Sequence, residues 1–110
     1  MAVKIDLKGG LTVCRVEGDI DIACSPDLKK VFDRLVEKKT PKIVIELSKV
    51  AYVDSSGLAT FVGILKNMRS YGGRMRLAGM SPKIKSLFEI TKLDKLFDIM
   101  ASEEEAISGV

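Results

Sequence analysis

Near the middle of the chain, Asp54, Ser55, Ser56 and Gly57 stand in a row, just ahead of a segment patterned as an amphipathic helix. A carboxylate beside two hydroxyls at such a place could cap the helix, serve as a nucleophile, cradle a phosphate, or accept a phosphoryl group. The nucleophile fares poorly. The chain has no histidine to act as base, no GxSxG elbow surrounds the serines, and no lysine lies within the turn as a substitute. A cradle fares worse, because the glycine-rich run and the lysine of a P-loop are both missing. A cap and a phosphoryl acceptor remain, and local physics alone ranks a capping Ser55 first.

The other residues with chemistry in them are two cysteines, Cys14 and Cys24. They form no CxxC pair, and without histidine a zinc site would have few soft ligands to choose from, so both are expected to be buried, reduced thiols. The sequence therefore implies no metal and no cofactor.

The elements that must hold the Asp54–Gly57 turn follow from periodicity. Val3, Ile5 and Leu7 alternate with charged residues, Gly9-Gly10 supplies a turn, and residues 11–16 are rich in apolar and β-branched side chains, which predicts a hairpin. Ser25-Pro26-Asp27 is a helix start with Ser25 as the cap, and Leu28, Val31, Phe32, Leu35 and Val36 continue at helical spacing to about residue 38. "KIVIEL" at 42–47 has three apolar residues in a row, as in a strand covered on both faces. Leu58, Phe61, Val62, Leu65 and Met68 mark the inner face of the next helix, which Gly72-Gly73 ends. A strand at 74–79 follows. Ser81-Pro82 then opens a helix with Ile84, Leu87 and Phe88 inward, and "KLFDIM" supplies a short last strand. Ser102 with Glu105 forms a capping box for a final helix. Strands joined through helices run mostly parallel, so the order predicts an α/β fold: a mixed sheet opened by an antiparallel hairpin, with about four helices packed on it.

On the second of these helices, Ser56, Thr60, Gly63 and Asn67 fall opposite Leu58, with Ala59 at the flank. Exposed helix faces usually carry Lys and Glu. This one is small and uncharged, so another surface can approach closely: a partner protein, or a neighbouring helix of the same domain. Phosphate on Ser55 would add about −1.5 to −2 charge beside Asp54 and near Asp19 and Asp21. A partner lying on the small-residue face would then meet a dianion in place of a hydroxyl.

Size and composition set the frame. The 110 residues suit one domain spanning 1–110, with 46% apolar and 30% charged residues in an ordinary globular balance. The net charge of +3 is spread along the chain and few aromatics are present, which argues against a nucleic-acid surface. No run approaches the roughly 18 apolar residues of a membrane span, and residues 1–10 do not read as a signal peptide. A cytoplasmic protein is expected.

Three stretches, "GDID" at 18–21, "ELSKVAYVDSSGLATFVGILK" at 46–66 and "GGRMRLAGMSPKIKSLFEITKLDKLFDI" at 72–99, resemble the STAS-domain anti-sigma factor antagonists of bacteria. The turn V/M-D-S-S/T-G-L-G/A is the most specific part, and the similarity spans nearly the whole chain. It reverses the ranking that local physics gave to the cap. The resemblance implies that Ser55, directly after the aspartate, is the phosphoryl acceptor, with Ser56 the second candidate. It makes Asp54 the acid beside the acceptor, and Asp21 the acid of a loop that contributes to the kinase-facing surface. The partner surface would comprise Asp19, Asp21, Asp54, Ser56, Gly57, Ala59, Thr60 and Gly63. The family's fold is a mixed sheet with helices largely on one face.

The cycle that the resemblance implies is a partner switch. The unphosphorylated antagonist binds an anti-sigma factor that is also a GHKL-type serine kinase, and the sigma factor is released. The kinase phosphorylates the serine with ATP, the antagonist falls away, and a PP2C-like phosphatase resets it. The protein would be a binding module and a substrate, not an enzyme; as a small domain with a transient docking face it is expected to be a monomer when free. Ala59 stands where many members have glycine, and "IACS" at 22–25 is more apolar than in many relatives, which bears on which kinase docks. The rival within the fold is a STAS phospho-switch or scaffold serving a stress-signalling, biofilm or lipid-transport assembly. An enzyme using Ser55 or Ser56 as nucleophile is the rival of another class.

Overall fold

The structure, a computed structural model, describes residues 2–108. The elements are β1 (Ala2–Lys8), β2 (Leu11–Glu17), α1 (Ser25–Glu37), β3 (Lys42–Lys49), α2 (Ser55–Arg69), β4 (Arg74–Ala78), α3 (Pro82–Ile90), a 3₁₀ turn (Leu93–Lys95), β5 (Asp98–Met100) and α4 (Glu103–Ser108). Gly9 and Gly10 have φ of +56° and +83°, the left-handed pair that a two-residue hairpin loop requires. β1 and β2 accordingly pair antiparallel, with Lys8 opposite Leu11. The later strands follow crossovers through helices and pair parallel, so spatial order repeats sequence order, β1-β2-β3-β4-β5.

Alternation along the strands makes two cores. Ile43, Ile45 and Leu47 of β3 face one side, where Leu28 and Phe32 of α1, Phe61 of α2 and Phe88 of α3 pack on them. Each of these fully buried phenylalanines contributes about 1.5–3 kcal/mol. Val44 points the other way and meets Val13, Ala78 and Ala106, the last from α4. The three consecutive apolar residues of β3 are thus covered on both faces, three helices on one and a short one on the other.

The helix starts match expectation in part. Ser81 caps α3, its Oγ accepting from the Ile84 N–H at 3.3 Å. Ser102 Oγ accepts from the Glu105 N–H at 3.2 Å, and the Glu105 carboxylate takes the Ala101 N–H at 3.4 Å, a capping box whose return arm lands one residue early. Ser25, expected as the cap of α1, is instead the first helical residue, and Cys24 holds the cap position without a side-chain bond. The cause is Asp21. Its carbonyl accepts from both the N–H and the hydroxyl of Ser25, each at 2.8 Å, and turns that side chain back into the preceding loop. No helix among the described residues is long and apolar enough to cross a membrane.

Candidate functional site: the Asp54–Ser55 turn

The turn lies after β3, where the chain enters α2. Asp54, not Ser55, is the N-cap: its backbone is extended and its Oδ1 accepts from the Gly57 N–H at 3.1 Å. Oδ2 accepts from the Ile22 N–H at 3.0 Å, so one carboxylate both caps α2 and holds the loop after β2. The capping role that local physics assigned to Ser55 is therefore overturned. Ser55 is the first residue of the helix proper, exposed, with its hydroxyl unbonded among the described residues. Ser56 is half-buried, and its carbonyl accepts from the Thr60 hydroxyl at 2.9 Å.

Two backbone bonds stitch the neighbouring loop to this turn. The Ile20 N–H donates to Tyr52 O at 2.9 Å and the Asp54 N–H donates to Ile20 O at 3.1 Å, a parallel bridge between Ile20 and Val53. Asp21 follows directly, its Oδ1 accepting from the Ala23 and Cys24 N–H groups at 3.0 and 3.1 Å. Asp19 is exposed beside it. The loop with Asp19 and Asp21 thus lies against the loop with Asp54 and Ser55. Gly57 permits the approach. A Cβ there would fall 2.8 Å from both Ile20 Cγ2 and Val53 Cγ1, and the residue is buried. It sits under the expected surface and shapes it from below.

The small-residue face of α2 lies as expected, and α1 partly flanks it. Ala59 is exposed, Thr60 and Gly63 are half-buried, and together with Lys29 and Asp33 of α1 they line a shallow groove of about 220 Å³. A helix of the same domain packs at its edge, as the second expectation had it in part, and the groove between stays open. A Cβ on Gly63 would meet nothing within 4 Å.

A second groove was not foreseen. It holds about 580 Å³ between the turn and α3, with Tyr52, Leu58, Ile84, Leu87 and Ile90 on its walls and Ser55 and Lys83 also lining it. The sequence signal was Ile90, which falls off the inward stripe of α3 and is 79% exposed. Ile22, in the loop next to Ser55, is 75% exposed. Ser55 therefore stands among apolar side chains.

Neither cysteine fits a reactive site. Cys14 is fully buried, which pushes its thiol up to about 12, and Cys24 is half-buried, its thiol raised by burial and then by Asp21. Both are free thiols. No three His, Cys, Asp or Glu side chains among the described residues gather as a metal site.

Known proteins resemble this chain in sequence and in fold. The STAS domain family matches residues 2–106. The anti-sigma-B factor antagonist of Bacillus subtilis (strain 168) is 33% identical over 109 residues, covering 97% of this chain and 99% of its own. The protein of the same name from Staphylococcus aureus (strain NCTC 8325 / PS 47) is 34% identical over 90 residues, 82% of this chain and 83% of that one. Among solved structures, an anti-sigma factor antagonist from Mycobacterium paratuberculosis superposes with a TM-score of 0.91 at 25% identity, over 99% of this chain and 92% of that one. With the STAS domain matched over residues 2–106 and relatives 33–34% identical over most of the chain, the chain belongs to the STAS domain family.

Proposed function

We propose that this protein is a cytoplasmic anti-sigma factor antagonist that works by partner switching. Unphosphorylated, it docks on an anti-sigma factor that is also a GHKL-type serine kinase and frees the sigma factor. The kinase transfers the γ-phosphoryl group of ATP to Ser55 Oγ, the hydroxyl proton leaves to a base of the kinase, and ADP departs. A PP2C-like phosphatase hydrolyses the ester and restores the binding form. The chain contributes a surface and a hydroxyl, with no chemistry or cofactor of its own. The docking surface comprises Asp19, Asp21, Asp54, Ser56, Ala59, Thr60 and Gly63 around the acceptor, with Gly57 supporting it from beneath.

One observation carries this reading. Asp54 does the capping, which leaves the Ser55 hydroxyl exposed and unengaged at a helix N-terminus. The first-turn N–H groups can take up part of a phosphate's charge, so the modification repels a partner without unfolding the domain. Ser56 is the second acceptor candidate, but its half-buried position makes it the poorer one. The exposed Ile22 bears on which partner docks and not on how the switch works.

The test is intact-mass measurement after incubation with ATP and each GHKL-type kinase of the source organism, followed by peptide mapping. One added phosphate on Ser55 is expected, absent in Ser55→Ala. Ser55→Asp should bind the kinase at least about tenfold more weakly than wild type, a loss of about 1.4 kcal/mol or more, while Ser55→Ala stays bound. Equal affinity among all three would rule out the switch.

A further inference from the structure

β1 is the edge strand of the sheet, and nothing among the described residues pairs with its outer side. Edge strands with free backbone groups invite pairing, and proteins commonly blunt them with lysine. β1 carries Lys4 and Lys8, yet Asp6 stands between them, and the alternate residues Val3, Ile5 and Leu7 are apolar. Those three sit on the face where Cys14 and Val16 enter the core; Val3 packs at its rim, but the helices do not reach out to the other two, and Ile5 is 47% and Leu7 81% exposed. An apolar row and an open edge on the same strand call for an occupant.

The order of charges names it. If β1 meets a second β1 antiparallel about a two-fold axis through Ile5, Ala2 faces Lys8, Val3 faces Leu7, Lys4 faces Asp6 and Ile5 faces itself, so all seven residues of each strand pair. Both symmetry-related Lys4–Asp6 pairs join opposite charges on one face, while Val3, Ile5 and Leu7 close an apolar row on the other. A slip of two residues either way puts Lys4 opposite Lys4 or Asp6 opposite Asp6, so one register is selected. Lys4 has no ion pair among the described residues; Asp6 already holds Arg15 and would bridge it to the incoming lysine.

We propose that β1 is a self-complementary interface through which two copies of this chain join edge to edge, extending the five-stranded sheet to ten strands. This departs from the free monomer expected from size, and it is independent of the partner switch. No β1 residue lines either groove beside α2, so both Ser55 sites remain open in the dimer.

Sedimentation equilibrium over a range of concentrations tests it. Wild type should show a reversible monomer–dimer equilibrium. Lys4→Asp and Asp6→Lys should each weaken it at least about tenfold, because both symmetry-related pairs turn repulsive. An equimolar mixture of the two variants should recover the dimer, since the two carboxylates of one variant's strand then face the two ammonium groups of the other's. Asp6→Lys gives up the Arg15 contact; if circular dichroism shows it unfolded, Leu7→Asp at the exposed apolar row takes its place and should also abolish the dimer. Wild type that stays monomeric at every concentration overturns the proposal. So does a dimer that neither variant weakens.

Discussion

Asp54 and Gly57 show how little side chain is needed to present Ser55. The aspartate gives one oxygen to the first turn of α2 and the other to the backbone of Ile22, and the glycine removes the one methyl that would hold Ile20 and Val53 away. Gly57→Ala should therefore destabilise the domain by about 1–3 kcal/mol, because the methyl groups it would strike belong to β-branched side chains with little freedom to move. Urea denaturation reads this as a lower midpoint with an unchanged slope; no change would mean that the loops are not held in contact at this point. The cap itself was only half legible in the sequence. Aspartate and serine are both good N-caps, and which of three consecutive candidates takes the position depends on where the chain turns. The Ile20–Val53 bridge sets that point, and no local pattern announces a bridge between residues so far apart.

At the scale of elements, α2 reveals what periodicity can and cannot give. Leu58, Phe61, Leu65 and Met68 are buried as the spacing predicts, but Val62 is half-buried and Ile64 takes the place expected of it. α1 lies along that flank and widens the buried stripe beyond what the helix pattern alone shows. The same neighbour leaves Gly63 facing open space, so Gly63→Glu should barely alter the melting temperature while lowering affinity for the proposed kinase partner at least about tenfold, about 1.4 kcal/mol. Thermal melting and a binding titration check the two halves separately. A variant that unfolds would move the docking face elsewhere. The groove under Ser55 was illegible for a related reason: Ile84 and Leu87 read as core residues, and Ile90 alone, off their stripe, signalled that the apolar side of α3 runs out to the surface.

For the whole molecule, the far face of the sheet is held by charge as well as by Val13, Val44 and Ala106. Glu103, in the first turn of α4, accepts from Arg15 Nε and Nη2 at 2.9 Å each and from Lys8 Nζ at 3.0 Å, while Arg15 also pairs with Asp6. The Arg15 hydrogen bonds hold the Glu103 carboxyl below its ordinary range despite partial burial. A lowered folded-state value means that the unfolded chain takes up the proton first. The stabilisation is therefore complete above the unfolded value of about 4.3 and is lost as pH falls through the lower folded one. Protection factors of the α4 amides should fall over that acid window before the rest of the sheet opens, and Glu103→Gln should show low protection in α4 at neutral pH with less dependence on acid. Identical exchange in both proteins would leave the apolar contacts of α4 to account for its docking. The architecture as a whole was the most legible part, because hairpin, strand and helix patterns all agreed with one topology. The charge cluster was not, since Glu103 lies 95 residues from Lys8 and 88 from Arg15 and meets them only through the sheet.

The strand order has a consequence for how the chain comes into being. Because each strand pairs with the one made just before it, a nascent chain leaving the ribosome can lay the sheet down in the order of synthesis, with no slot held open for a strand still to be translated. The hairpin comes first, each helix folds over the edge just completed, and few segments must search a long distance for their mate. Only the second core waits: Val13 and Val44 are made early but stay uncovered until Ala106, almost the last residue described, arrives to shut them in.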